Sequence, residues 1–116
     1  MAAHKVDLAV DQGATFDKSF VWRLSGALVD LTGCAARSQV RASASSTTVL
    51  FDMTSANGRV ELGGAAGTVR LLLTDEATAA LAAKPGVYDL FIDFPAGNSV
   101  RLMAGNFTVA QRVTRP

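Results

Sequence analysis

The sequence predicts an all-β fold, an antiparallel sandwich of roughly seven to nine short strands with one short helix at about residues 75–84. Three observations predict it. Apolar and polar residues alternate in short runs, turn residues interrupt those runs at intervals of roughly 8–12, and one stretch alone switches to helical spacing. A chain of 116 residues and 12.1 kDa lies inside the common domain range of about 50–200 residues. It is read as one domain over 1–116, with 1–5 and 110–116 as candidate extended arms.

The elements follow in order. Val6, Leu8 and Val10 alternate with polar neighbours and end at Asp11-Gln12-Gly13. Over residues 15–23, Phe16, Phe20 and Trp22 share one face, and Lys18 interrupts it as an edge or a snorkelling position does. Ser25-Gly26 and Thr32-Gly33 supply turn chemistry on either side of residues 27–31. Residues 34–42 give the cleanest period of two, with Cys34, Ala36, Ser38 and Val40 against Ala35, Arg37, Gln39 and Arg41. Residues 49–53 form a further strand. Asn57-Gly58 is the strongest short hairpin signal in the chain, so residues 59–62 are expected to pair back across it. A glycine-rich loop over 63–67 leads into a strand at 68–73. Thr74 then caps a helix with Asp75 and Glu76 in its first turn, where the helix dipole favours acid. Lys84-Pro85-Gly86 stops it. Residues 87–94 place Tyr88, Leu90, Ile92 and Phe94 on one face, and a last strand over 99–109 is expected to bulge near Gly105.

Composition removes several functions. Eleven basic and ten acidic residues leave a charge of +1, and hydrophobic residues make up 49% at a mean hydropathy of +0.26. No bulk attraction to nucleic acid or an anionic membrane is visible. No apolar run approaches the roughly 20 residues of a membrane helix, and no secretory leader is read at the start. Cys34 is the one cysteine, which excludes an internal disulfide and a multi-cysteine zinc site. The expectation is a soluble domain made in a cytoplasm, with no cofactor, no metal, no nucleic acid or membrane partner and no small-molecule substrate.

Chemistry-bearing residues are few. His4, the single histidine, sits near a terminus and reads as solvated. Cys34 falls on the apolar face of its strand and reads as a small buried hydrophobe. Asp89 and Asp93 share a strand face about 13 Å apart, at about 3.3 Å per residue, too far for a glycosidase pair. The 63–67 loop lacks the Lys-Ser/Thr ending of a phosphate loop and precedes a strand. Asn106-Phe107-Thr108 matches a glycosylation acceptor, a match without meaning unless the chain is secreted. Eight of the eleven basic residues are arginine, as in protein interfaces or as a GC-rich coding sequence dictates. No nucleophile, base and orienting group assemble, so the expectation is not an enzyme.

Residues 12–16, Gln-Gly-Ala-Thr-Phe, with Phe20-Val21-Trp22, the run Val29-Asp30-Leu31-Thr32-Gly33, and the ending Gly86-Val87-Tyr88-Asp89-Leu90 carry a resemblance. The pattern is similar to the N-terminal immunoglobulin-like domain of tailed-bacteriophage baseplate upper proteins and to small tail-associated virion proteins. That resemblance implies an immunoglobulin-like sandwich and a non-enzymatic virion component, made in the host bacterial cytoplasm. It would dock in several copies on a tail, adaptor, tail fibre or baseplate, its partners other virion proteins and copies of itself. A capsid decoration or cement protein is the alternative, and a carbohydrate-binding host-recognition module a further one. The expected interface residues are Val87, Phe91, Met103, Arg112 and Arg115. The expected core is Phe16, Phe20, Trp22, Leu31, Val40, Leu71, Tyr88, Leu90, Ile92 and Phe107.

Overall fold

Alternation dictates two sheets, each with one face turned to a shared interior. The computed structural model describes residues 4–114, so Arg115 and residues 1–3 and 116 lie outside the described residues. The larger sheet contains β1 (His4–Lys5), β2 (Leu8–Asp11), β6 (Ala35–Arg41), β7 (Phe51–Thr54), β10 (Gly86–Asp93) and β11 (Ser99–Ala110). Its order is β1-β11-β10-β6-β7, with β2 also on β11. The smaller sheet has the order β3-β9-β8, from β3 (Phe16–Val21), β8 (Val60–Leu62) and β9 (Thr68–Leu73). A minor hairpin joins β4 (Arg23–Leu24) to β5 (Ala27–Leu28). The result is an all-β immunoglobulin-like sandwich.

The interior is set by the period of two. Leu8, Val10, Val40, Met53, Leu90, Ile92 and Phe107 from one sheet meet Val60, Val69, Leu71 and Leu73 from the other. Trp22, Leu31 and Tyr88 are buried with them, while Phe16 and Phe20 are half-buried because β3 is an edge strand. Burial at roughly 25 cal/mol per Å² of apolar surface makes this interior the main source of stability.

Several local expectations are corrected. Asn57-Gly58 does not close a hairpin. β7 pairs with β6 in the large sheet, whereas β8 pairs with β9 in the small one. The Asn57 carboxamide oxygen accepts the Thr54 and Arg59 amides at 3.0 and 3.1 Å, and Gly58 takes φ +79°. The turn therefore hands the chain from one sheet to the other. The helix α1 (Asp75–Ala79) is shorter than expected, although Thr74 does cap it, accepting from the Ala77 amide at 3.1 Å. Pairing is antiparallel except where β1 and β2 run parallel to β11. Of the two expected arms, residues 4–5 are strand β1 and residue 110 ends β11.

The bulge lies opposite Leu90/Phe91 rather than at Gly105. Leu90 faces Met103 and Phe91 faces Arg101, so Leu102 is the extra residue, and Leu102 and Met103 are both buried. Gly105 has a different task. A Cβ there would collide with the Val6 carbonyl oxygen, which accepts the Tyr88 hydroxyl at 2.6 Å. Glycine lets the β1–β2 segment cross close enough for that bond.

Candidate functional site

Strand β10 lies between β6 and β11, and its outward residues stand in rows with theirs. Arg37, Phe91 and Arg101 form one row, Gln39, Asp89 and Ala104 the next, Arg41, Val87 and Asn106 the third. Arg37 Nε donates to Asp93 Oδ2 at 2.9 Å, and its guanidinium lies 4.7 Å from the Phe91 ring centroid. Arg101 Nε is 3.5 Å from Asp89 Oδ2. Arg41 donates to the Ser46 carbonyl at 2.6 Å and to Gln39 Oε1 at 2.7 Å. The Arg37 bond, followed by one from Ser99 Oγ, holds the Asp93 carboxyl below the usual carboxylate range. Together the rows border a shallow concavity of about 570 Å³ with Phe91 and Val87 in its floor.

Two of the expected interface residues, Val87 and Phe91, are half-buried on this face. Met103 is not there: at 3% exposure it is interior, turned inward by the bulge. Arg112 is elsewhere as well, its side chain folded over Gly13 and its amide donating to Gln12 Oε1 at 3.2 Å. Sequence reasoning passed over Arg37, Gln39, Asp89 and Arg101 as members of one surface. The signal was present in the alternation of residues 35–41 and 86–93, but the rows depend on pairing register, which alternation leaves open.

The remaining candidates stay apart. His4 is exposed on β1. Burial, then the nearby Asp30 charge, pushes the Cys34 thiol up, which keeps it protonated and unreactive at neutral pH. Asp89 and Asp93 are each engaged by an arginine. Among the described residues no group of three His, Cys, Asp or Glu converges as metal ligands would. Residues 63–67 include a 3-10 turn (Gly64–Ala66) that leads into β9 rather than a helix.

Two of the outer strands, β3 and β7, are protected against edge pairing. Lys18 sits on the inward row of β3, opposite Leu71, with its ammonium 5.9 Å from the Phe20 ring centroid. An inward charge on an edge strand blocks addition of a further strand. On β7 the Asp52 carbonyl accepts from Arg59 Nη1 at 3.0 Å, which occupies an acceptor an incoming strand would use. The large face of the β6-β10-β11 sheet is left as the open, chemically varied surface.

The fold and this surface define an immunoglobulin-like β-sandwich with a mixed-charge sheet face. No family model matches the chain. No curated protein matches it significantly either. Solved structures do align. One is the extracellular domain of the voltage-gated sodium channel beta4 subunit, whose parallel homodimers are described as explaining its role in cell-cell adhesion. It is 14% identical, with 97% of each chain covered and a TM-score of 0.49. A second comes from work on multimeric cell-adhesive interactions of sodium channel beta subunits, at 15% identity, 91% and 92% coverage and TM-score 0.47. A third, Drosophila OTK extracellular domains 3–5, is 14% identical over 89% of this chain and 32% of that one, with TM-score 0.39. The roles of those proteins are theirs and do not transfer at such identities.

These findings correct the virion reading. The three structures named are extracellular domains of cell-surface proteins, and none of them is a phage component. The tail, baseplate and capsid roles fall with it, as do virion partners and the virion location. The motifs that carried the resemblance have local structural work. Gln12 Nε2 donates to the Leu81 carbonyl at 2.7 Å, tying the helix region to the first turn. Asp30 Oδ1 accepts the Thr32 amide at 2.9 Å in an Asx turn that delivers buried Leu31, and Gly33 follows at φ +77°. Such short turn and strand devices recur in unrelated sandwiches.

Proposed function

We propose that this chain is a non-enzymatic interaction domain that associates with a second copy of itself through the outer face of the β6-β10-β11 sheet. The observation that carries the reading is the pattern of that face. Phe91 and Val87 lie in a shallow floor, with Arg37 and Arg101 beside Phe91 and with Asp89 and Asp93 on the same strand. Under a two-fold axis, a surface bearing both signs around an apolar centre is its own complement: arginines of one copy meet aspartates of the other. An aromatic residue flanked by arginines is also the composition enriched at interface centres.

The protected edges of β3 and β7 support a face-to-face geometry over strand addition there. Sedimentation equilibrium over a range of concentrations tests the reading. A reversible dimer is expected, and Phe91→Asp is expected to return it to monomer while the melting transition remains cooperative. A protein that stays monomeric at the highest concentration, or a Phe91→Asp dimer as tight as the unaltered one, contradicts it.

A further inference from the structure

At the edge between β1 and β3 the sandwich is not fully closed. Edge strand β1 of the large sheet and edge strand β3 of the small one leave a seam between them, and in it lies a second cavity of about 430 Å³. Its walls are apolar, with Phe20, Trp22 and Leu102 contributing. Its rim carries His4, Lys5 and Arg23, all exposed, and no acidic residue is among its lining. Neither Lys5 nor Arg23 forms an ion pair among the described residues; Arg23 reaches only the Gly26 carbonyl, at 3.4 Å.

Trp22 lines the seam from the interior. The residue is 4% exposed, and its indole Nε1 is a buried donor without an acceptor. A buried donor left unpaired is costly, and native proteins rarely leave one so. Apolar walls and cations at the mouth are the two requirements of one ligand class. We infer that the β1–β3 seam is a binding site for an amphipathic carboxylate, a molecule with an aliphatic body and a single anionic head. The body replaces water against Phe20, Trp22 and Leu102, and the head pairs with Lys5 and Arg23. A site of about 300–1,000 Å³ with a few placed polar groups is the ordinary form of a small-molecule pocket. This goes beyond the sequence-based expectation of no small-molecule substrate and is independent of the self-association surface.

The chain has one tryptophan, so its proton–nitrogen correlation spectrum contains one indole signal. Titrating the full chain with decanoate, and in parallel with decanol and decyltrimethylammonium, tests the site through that signal. Decanoate is expected to move it saturably, decanol to bind roughly tenfold more weakly for want of charge-assisted contacts, and the cationic amphiphile not to move it. The Lys5→Glu/Arg23→Glu pair is expected to lose decanoate affinity roughly tenfold or more with the rest of the spectrum dispersed. Should that pair not fold, Lys5→Gln/Arg23→Gln takes its place with the same expectation. An indole signal indifferent to decanoate, equal affinity for decanol, or unchanged decanoate affinity in the variants overturns the proposal.

Discussion

On the three-stranded sheet, Arg70 donates to both oxygens of Asp17, at 2.8 and 2.6 Å, and reaches Glu61 at 3.3 Å. On the six-stranded sheet, Arg37 and Arg101 each touch one carboxylate oxygen. Both surfaces are built from arginine and acid on alternate positions, yet they differ in what is left over. The fork of Arg70 is spent inside its own sheet, holding Asp17 below the usual carboxylate range. The Nη1 and Nη2 groups of Arg37 donate to no acceptor among the described residues, and its plane lies over Phe91. A guanidinium carries five donors in a fixed geometry, so the first surface is satisfied alone and the second has donors to give. The lesson is that charge pattern marks an interface only when its hydrogen-bonding capacity is unspent.

That contrast can be broken most directly at the centre of each surface. Phe91→Asp is expected to weaken self-association roughly 30-fold or more, the effect of losing an aromatic hot spot, whereas Leu72→Asp, outward on β9 beside Asp17, leaves it unchanged. Sedimentation equilibrium reads both. Arg101→Asp is expected to weaken association roughly three- to tenfold through charge. Adding Asp89→Arg restores part of that loss, a coupling that a double-mutant cycle measures.

Tyr88 ties β10 to the β1–β2 segment from within, its hydroxyl donating to the Val6 carbonyl. Burial, then the Asp7 charge, pushes its phenol up to about 12 from an ordinary 10.0. A raised value means that the contribution is fully present below pH 10 and is lost as pH rises toward 12. Denaturant midpoints are therefore expected to fall across that window and to flatten there in Tyr88→Phe. The same substitution costs about 1 kcal/mol at neutral pH through the lost bond to Val6. The smallest effects belong to the carboxylates. Asp17 and Asp93 both titrate below their ordinary range, so their stabilisation is present above it and disappears as pH falls through the lowered values. Asp17→Asn and Asp93→Asn are each expected to shallow the acid limb of a stability–pH curve, and only Asp93→Asn to alter association.

Strand positions were legible wherever one face is buried. Residues 68–73 read as a strand and form one, and the alternation through 35–41 and 86–93 sorted inward from outward residues correctly. What alternation does not encode is which strands pair. Asn57-Gly58 has the residues of a hairpin turn, but Phe51 and Met53 pack from the large sheet and Val60 from the small one, so the turn became a crossover. A single inserted residue, Leu102, reversed the facing of Met103. The outer surface around Phe91 was half visible: Val87 and Phe91 came from β10 alone, while Arg37, Gln39 and Arg101 needed the register of two neighbouring strands.

The direct measurement is a concentration series of backbone proton–nitrogen spectra of the full chain. Dilution is expected to shift the amide signals of residues 37, 39, 87, 89, 91 and 101 together along one binding curve, while those of 17, 61, 70 and 72 stay fixed. Signals that do not respond to concentration, or that move on the three-stranded sheet instead, would contradict that expectation.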